Sequence, residues 1–434
     1  MKKLKKQQSD SVRGRGAQHR KAVARTQLGL WDASLRRKDP FRLLTSSMRG
    51  RVPSLLALKR ERMTLSPFVF FRGAAPIMAY DLSLVPHTEI ICQLCGDAHV
   101  QNLGAFEGDD GRLIFDMNDF DETIRGPFEW DVKRMATSIL LAGQDAKCSA
   151  GGCTNAAAAF LTSYCELMAR LARLPLLDVV RFQVHRLASL SSISEILRKA
   201  ERATPLHTRD TLLQQSKTGR IFRDEPPLLR RVMGKQRVSV LRSLNRYRAT
   251  LQPARQHLFD QFRPVDVCFK VVGTGSIGMR DYIVYFEGNG PDDPLFLQLK
   301  EETHSVYEPY LPTGTVTEPN QGQRVINGHR ALQLQSDPLL GYTRFDGRDY
   351  VVRQLKDHKA TLDVTTLNQA GLQQYAEVCG EMLARGHARS GDPRMIRGYI
   401  GKGGRFGDSM LKFAQSYATQ IHKDWQTFKA QSHS

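Results

Sequence analysis

The apolar and polar positions change period several times along the chain, and each change marks a segment. Residues 1–25 are polar and basic with no sustained apolar spacing, which predicts a disordered arm. From position 27 to 65 apolar residues recur at near-helical spacing, with breaks expected at Pro40 and Pro53. Ser66-Pro67 opens the run FVFFRGAAPIMAYDL, where Phe68, Phe70, Phe71, Ile77 and Met78 are candidate core. Residues 89–95 read as a buried strand ending at Gly96. Residues 112–116 read as a second short strand after an Asp109-Asp110-Gly111 turn.

Helical spacing returns at Glu129 and holds to about residue 262, with helices expected over 156–173 and 187–202 and a basic helix after Pro226-Pro227. At Pro264 the pattern turns β-rich, with strands at 265–272, 282–286 and 295–299. A helix is expected at 321–336, a strand at 349–355 and a long helix at 367–387. Residues 394–407 read as a loose glycine-rich stretch, and Asp408 as the cap of a last helix. The expected division is a basic tail (1–25), a helical segment with a lead-in strand (26–95), a helix-rich region opening on an acidic loop (96–263), a β-rich region (264–360) and C-terminal helices (361–434). That is a helix-rich α+β chain, long enough for two lobes.

Composition adds little to this except through charge. The apolar share of 41% and charged share of 25% are ordinary for a globular protein. No apolar run reaches eighteen residues, so no membrane span is expected, and the basic start lacks the apolar stretch of a secretory signal. Seven cysteines without such a signal suit a reducing cytoplasm. Cys92 and Cys95 have zinc-ligand spacing, but their apolar neighbours also suit a buried strand. The net charge is +19, and residues 1–60 hold seventeen Lys and Arg against three acids. Such a tail is a solvated arm, or a weak contact for nucleic acid or an anionic surface. Arg72 stands in an apolar setting and needs an anion, either an internal partner such as Asp81 or a bound phosphate.

Against that basic background, residues 93–131 hold ten carboxylates and only two arginines. Asp97 and Asn102 are spaced so that a carboxylate can orient a hydroxyl while an amide oxygen ligates Mg²⁺, with Asp119 as a further oxygen donor. A second motif, Gly273-Thr-Gly275-Ser276-Ile-Gly278, lies between two expected strands. A glycine hairpin lets backbone N–H groups approach phosphates, as in kinases, whereas a dinucleotide fingerprint needs a helix after the strand. Lys300 closes the next strand and is a candidate phosphate partner, or a solvated strand end.

Gly96-Asp97-x-His99-x-x-Asn102 resembles the catalytic loop of aminoglycoside phosphotransferase-like kinases. Asn118-Asp119-Phe-Asp121-Glu122 resembles their metal-binding motif, and Trp130-Asp131 the segment beneath the loop. The resemblance implies that Asp97 is the catalytic base, assisted by His99. Asn102, Asp119 and Asp121 would lie at Mg²⁺, and Asp131 would brace the loop. Gly273, Gly275, Ser276, Gly278 and Lys300 would bind ATP. The motif order is reversed, since the acidic motif precedes the glycine loop by about 170 residues, so the implied two-lobed kinase-like fold is circularly permuted. In that arrangement the helix at 367–387 sits where the helix before the catalytic loop belongs. From about residue 60 the chain also resembles the bacterial family called domain of unknown function 2252, which matches at Arg72-Gly73 and His387-Ala-Arg-Ser-Gly-Asp392 as well. The resemblance implies an ATP- and Mg²⁺-dependent phosphotransferase acting on an unidentified small molecule or protein. A metal-dependent hydrolase built on Asp97, His99, Asp116, Asp119 and Asp121 is the rival, as is a nucleotidyltransferase or nucleotide-binding pseudoenzyme. The helix at 321–336 has no Glu for Lys300, which leaves Glu301, Glu302 or Glu318 as its candidate carboxylate.

Overall fold

The structure, a computed structural model, describes residues 2–108, 112–184, 198, 205–217, 219–271, 275–355, 360–361 and 363–433. Gly273, the Asp109-Asp110-Gly111 turn and the helix expected at 187–202 (Arg198 apart) fall outside them. The chain opens with α1 (Lys2–Ala22), α2 (Pro40–Ser47), α3 (Leu56–Met63), α4 (Pro67–Gly73) and α5 (Ala75–Ser83). Strands β1 (Ile91–Leu94), β2 (Leu103–Glu107), β3 (Leu113–Met117) and β4 (Ile124–Pro127) follow, then α6 (Glu129–Asp145), α7 (Ala150–Leu171), α8 (Leu176–Arg181) and α9 (Pro205–Leu212). Next come β5 (Leu213–Ser216), β6 (Gly219–Phe222), β7 (Leu229–Arg231), α10 (Gly234–Thr250), α11 (Pro253–Phe259), β8 (Arg263–Lys270), β9 (Asp281–Glu287) and β10 (Pro294–Glu302). The chain closes with α12 (Gln321–Leu332), β11 (Gly341–Phe345), β12 (Arg348–Gln354), β13 (Ala360–Thr361), α13 (Gln369–Ser390), α14 (Pro393–Ile400) and α15 (Gly404–His433). The fold is α+β and helix-rich, and its strands pair antiparallel.

The largest sheet runs β11-β12-β10-β9-β8-β7. Alternation along a strand sends successive side chains to opposite faces. Tyr282, Val284 and Phe286 of β9 therefore pack with Leu244 and Tyr247 of α10, while Ile283 and Tyr285 pack with Leu213 and Phe222. Both faces are apolar, so both need a cover. This corrects the nearly all-helical reading of 154–262: β5 and β6 form a hairpin that closes the second face, and β7 extends the sheet. A larger core joins α4–α7 and α13–α15 to β1–β4.

The N-terminal expectation also fails, for a physical reason. α1 is not a disordered arm; it lies on α14, and both helices use glycine where they touch. A Cβ on Gly16 would stand 2.1 Å from the Met395 carbonyl oxygen, and one on Gly398 2.3 Å from that of Arg13. Arg20 Nε donates to Tyr399 O (2.8 Å) and Arg25 Nη1 to Ile400 O (2.8 Å), so basic residues satisfy carbonyls at the α14 C-terminus. The stretch 394–407 is accordingly ordered, most of it in α14 and the start of α15. Asp408 lies inside α15 rather than capping it. Asp81 is taken by Arg36, which bonds it at 2.9 and 2.6 Å and also reaches Asp424, so it is not the partner of Arg72.

Replacing Gly398 with Val forces backbone apart at the α1–α14 crossing. The expected result is a loss of about 1–3 kcal/mol in chemical unfolding and faster tryptic cleavage at Arg13, Arg15 and Arg20; unchanged cleavage would count against the packed helix.

Candidate functional site

Two loops of the acidic stretch are pinned against each other at the ends of their strands. β2 and β3 pair with Leu103 opposite Met117, which brings Asn102 and Asn118 to the same edge. β1 pairs with β4, not with β3, and Leu94 faces Ile124. Between these pairs Gly96 adopts φ +84°, and a Cβ there would stand 2.2 Å from the Glu122 carbonyl oxygen, so only glycine permits the approach. Asn102 works as a latch. Its Nδ2 donates to the carbonyls of Asp97 and Asp119 (both 2.9 Å), and its Oδ1 accepts from the Asp119 N–H at 2.6 Å.

Asp131, in the first turn of α6, lies under the first loop. Its carboxylate accepts from the N–H groups of Cys95 (2.7 Å) and Gly96 (3.0 Å), and His387 Nε2 stands 3.3 Å away. The other ring nitrogen of His387 pairs with the Tyr164 hydroxyl at 2.9 Å. This arrangement ties Asp131 to the end of β1. It also shows where the two cysteines went: both are buried on or beside β1, and burial pushes their thiols well above the ordinary value.

Asp97 projects from the loop and is held by Arg134, whose Nε donates to Oδ1 at 2.7 Å and whose Nη2 reaches the same oxygen. The other oxygen, Oδ2, lies 3.7 Å from His99 Nε2. His99 is buried, and burial drives its pKa down to about 4, so the ring is neutral near pH 7. Its Nδ1 accepts from the Gln101 N–H.

The β-rich half supplies the opposite wall. Lys300 on β10 is buried, and its Nζ stands 2.5 Å from Asp121 Oδ1 and 3.3 Å from Asp119 Oδ1. Burial disfavours its charge, but the two carboxylates more than offset this and hold the ammonium above the usual lysine range. The Ser276 hydroxyl donates to Asp121 Oδ2 at 3.2 Å. Burial and then the neighbouring Asp119 raise the Asp121 pKa, while Lys300 opposes both. Of the candidate glutamates, Glu301 pairs with Arg280 and Arg348, and Glu318 accepts from Asn327. Glu302, two residues along the strand from Lys300, is buried with an unpartnered Oε1, and burial and then Asp121 push its pKa well up. The lysine's carboxylate partners are thus the two aspartates.

The glycine turn is not a free hairpin. Arg51 Nη1 donates to the carbonyls of Gly275 (2.9 Å) and Ile277 (2.7 Å), and Lys59 Nζ also bonds Gly275 O. The Val52 N–H donates to Gly278 O at 2.7 Å, where φ is +87°. Arg324 of α12 holds the far side, donating to the carbonyls of Thr123 (2.6 Å), Asp121 (2.8 Å) and Thr303 (2.8 Å).

The chain's family can now be read against this geometry. The family described as uncharacterized protein conserved in bacteria (DUF2252) matches residues 51–431. The chain belongs to this family. No curated protein and no solved structure matches it. The match begins at Arg51, so it takes in the residues that hold the glycine turn. No described helix is long and apolar enough to cross a membrane.

Sequence reasoning brought together Asp97, His99, Asn102, Asp119, Asp121, Asp131, Ser276 and Lys300. It missed Arg51, Lys59, Arg134 and Arg324. Arg134 had a legible signal, an arginine among apolar residues three positions after Asp131; Arg51 and Lys59 were hidden in the charge of the N-terminal sixty residues.

Glu122 provides a pH test. It is half-buried, accepts from the Val306 N–H at 2.7 Å, and burial raises its pKa to about 7. A carboxyl raised in the folded state binds protons more tightly there than in the unfolded chain. Its contribution to stability is therefore greatest at low pH and is lost as pH rises from about 4.5 to 7, by at most roughly 3 kcal/mol. Glu122→Gln should remove that slope, so that unfolding free energies of variant and wild type diverge with rising pH; parallel profiles would contradict the buried neutral carboxyl. Separately, Asp131→Ala leaves two buried N–H groups without an acceptor and is expected to cost about 3 kcal/mol or more in chemical denaturation.

Proposed function

We propose that this chain is an ATP- and Mg²⁺-dependent phosphotransferase whose two kinase-like lobes occur in permuted order. The observation that carries the reading is the meeting of Lys300 and Ser276 with Asp119 and Asp121 across more than 150 residues of sequence. A glycine turn, a lysine on the third strand and a following helix are the parts a kinase uses around its nucleotide phosphates. Permutation gains support from α13, whose end meets β1: Ser390 Oγ accepts from the Gln93 N–H, and Gly391 packs so closely on Cys92 that a Cβ would be 2.8 Å from its Cβ.

The site's own residues fit such a reaction. Asp119 and Asp121 offer adjacent hard oxygens with Lys300 between them, a donor set suited to Mg²⁺, which needs few protein ligands beside phosphates and water. Among the described residues no three His, Cys, Asp or Glu side chains are grouped to hold a metal ion by themselves. Asn102, with its oxygen on the Asp119 N–H, keeps the two loops in register. Bound Mg²⁺ would supply charge neutralisation to the phosphates. Arg134 commits one oxygen of Asp97 and leaves the other to orient the acceptor hydroxyl. That hydroxyl oxygen attacks the γ-phosphorus, the bond to the β–γ bridging oxygen breaks, ADP leaves and the proton passes to Asp97. Neutral His99 beside Asp97 limits competing positive charge.

The hydrolase alternative loses one of its five residues. Asp116 is fully buried in an ion pair with Arg385, and its other oxygen faces the Leu334 N–H. Nucleotidyl transfer uses the same residues, and the position of a label in ATP separates it from phosphoryl transfer.

In a thermal-shift screen with ATP, GTP and ADP, a Mg²⁺-dependent rise in Tm is expected, lost in Asp119→Ala and in Lys300→Ala. No shift with any nucleotide overturns the proposal. Asp97→Asn should keep the shift yet lower release or transfer of the γ-label from ATP by about 10²–10⁴-fold; transfer of α-label instead would identify nucleotidylation.

A further inference from the structure

The arginines around the site are satisfied, with one exception. Arg134 is spent on Asp97, Arg324 on three backbone carbonyls and a glutamine, and Arg51 on the glycine turn. Arg72 makes no hydrogen bond or ion pair with a described residue, and its Nε is buried without an acceptor. The opposite charges that act on it are those of Asp97 and Asp119, and the like charge of Arg134 opposes them. Arg72 is half-buried: its Nε–H lies buried without an acceptor, which is costly, while its terminal nitrogens stay open to solvent.

Its position is fixed by local structure. Ser66 caps α4 by accepting from the Val69 N–H and donates to Asp145 at 2.5 Å. At the far end Gly73 lies against Met63, where a Cβ would stand 2.7 Å from the sulfur, so α3 and α4 are clamped together. The Phe71 ring lies 4.4 Å from the Arg134 guanidinium. The Arg72 carbonyl lies over the glycine turn, 3.8 Å from a Cβ built on Gly275. Lys59, from α3, is 2% exposed and bonds only the Gly275 carbonyl, so two of its three donors are unused among the described residues. Both sets of open donors thus come from residues 56–73, outside the two motifs, and both residues lie against the glycine turn, Lys59 through its Nζ and Arg72 through its backbone carbonyl.

We propose that Arg72, with Lys59 beside it, forms a phosphate-binding subsite facing Asp97 and Asp119, distinct from the contact made by Lys300. A planar five-donor fork and an ammonium suit a tetrahedral dianion, which accepts several hydrogen bonds at once and neutralises two cations. The phosphoryl group comes either from the end of the nucleotide or from an acceptor that already carries one. The assignment to the reaction rests on the phosphotransferase reading; the affinity for phosphate does not.

The test is calorimetry on the full chain with inorganic phosphate, with ADP–Mg²⁺ and with ATP–Mg²⁺, comparing wild type with Arg72→Gln and Arg72→Lys. Wild type should bind phosphate, and Arg72→Gln should weaken it about tenfold or more. Arg72→Lys should fall between, because it keeps the charge and loses the fork. Arg72→Gln is also expected to melt at or above the wild-type temperature without ligand, since it removes an N–H buried without an acceptor; a lower Tm would mark a structural arginine and count against the subsite. Loss of the ATP-over-ADP preference in Arg72→Gln assigns the subsite to the terminal phosphate of the nucleotide. Loss of inorganic phosphate binding to the ADP-loaded protein, with that preference intact, assigns it to the acceptor. Equal phosphate affinity in all three proteins overturns the proposal even if nucleotides bind, whereas phosphate binding without nucleotide binding overturns the nucleotide reading alone.

Discussion

A buried carboxylate can persist only where donors surround it, and Asp131 turns that requirement into architecture. Its oxygens take the N–H groups of Cys95 and Gly96 at the end of β1, and His387 approaches from α13 with Tyr164 of α7 behind it. One side chain thereby relates the loop at Gly96 to three helices. The loop needs this support because Gly96 turns it through positive φ directly under Glu122, a path with little backbone pairing of its own. Asn102 completes the arrangement from above by tying the same loop to Asp119. The result is a rigid frame in which Asp97 and Asp119 keep a fixed spacing before any ligand arrives.

The second half of the site is held less directly. Lys300 is placed by a strand whose two faces are both packed, so its position is as fixed as the sheet. The glycine turn depends instead on cations from the N-terminal segment. Arg51 and Lys59 take its carbonyls, and Val52 donates to Gly278. The N-terminal segment therefore holds the turn in place, and the family match beginning at Arg51 includes it.

What could be read from sequence follows from how local each signal is. The β-strands at 265–299, the helix after Glu129 and the long helix before Ser390 announce themselves through short-range periodicity. The acidic motifs were equally legible, since glycine, aspartate and asparagine at fixed offsets constrain a loop without reference to the rest of the chain. The misses involve partners distant in sequence. Residues 1–25 look disordered because their stabilising surface, α14, lies nearly four hundred residues away, and Gly16 and Gly398 have meaning only as a pair. The β5–β6 hairpin was hidden because its apolar residues are few, and the need for it arises from the uncovered face of β9. Arg134 and Arg324 act on Asp97 and on backbone carbonyls that no sequence pattern links to them.

The charge pattern of the site has a consequence for how it accepts a ligand. Asp119, Asp121, Glu122 and Glu302 crowd one wall, and burial raises the proton affinity of Asp121, Glu122 and Glu302. Lys300 is the cation directly paired with the first two. Bringing phosphates to this wall adds negative charge and draws Lys300 toward them, which leaves Asp119 and Asp121 undercompensated unless a cation enters with the phosphates. Under the phosphotransferase reading, an anion alone is disfavoured at the Lys300 wall and a metal–phosphate pair is favoured, by ordinary Coulomb balance. The opposite wall has the reverse need, because Arg72 and Lys59 carry open donors. On the same reading, a single extended ligand with a metal-bound phosphate at one end of its chain and a free phosphoryl group at the other would meet both requirements at once.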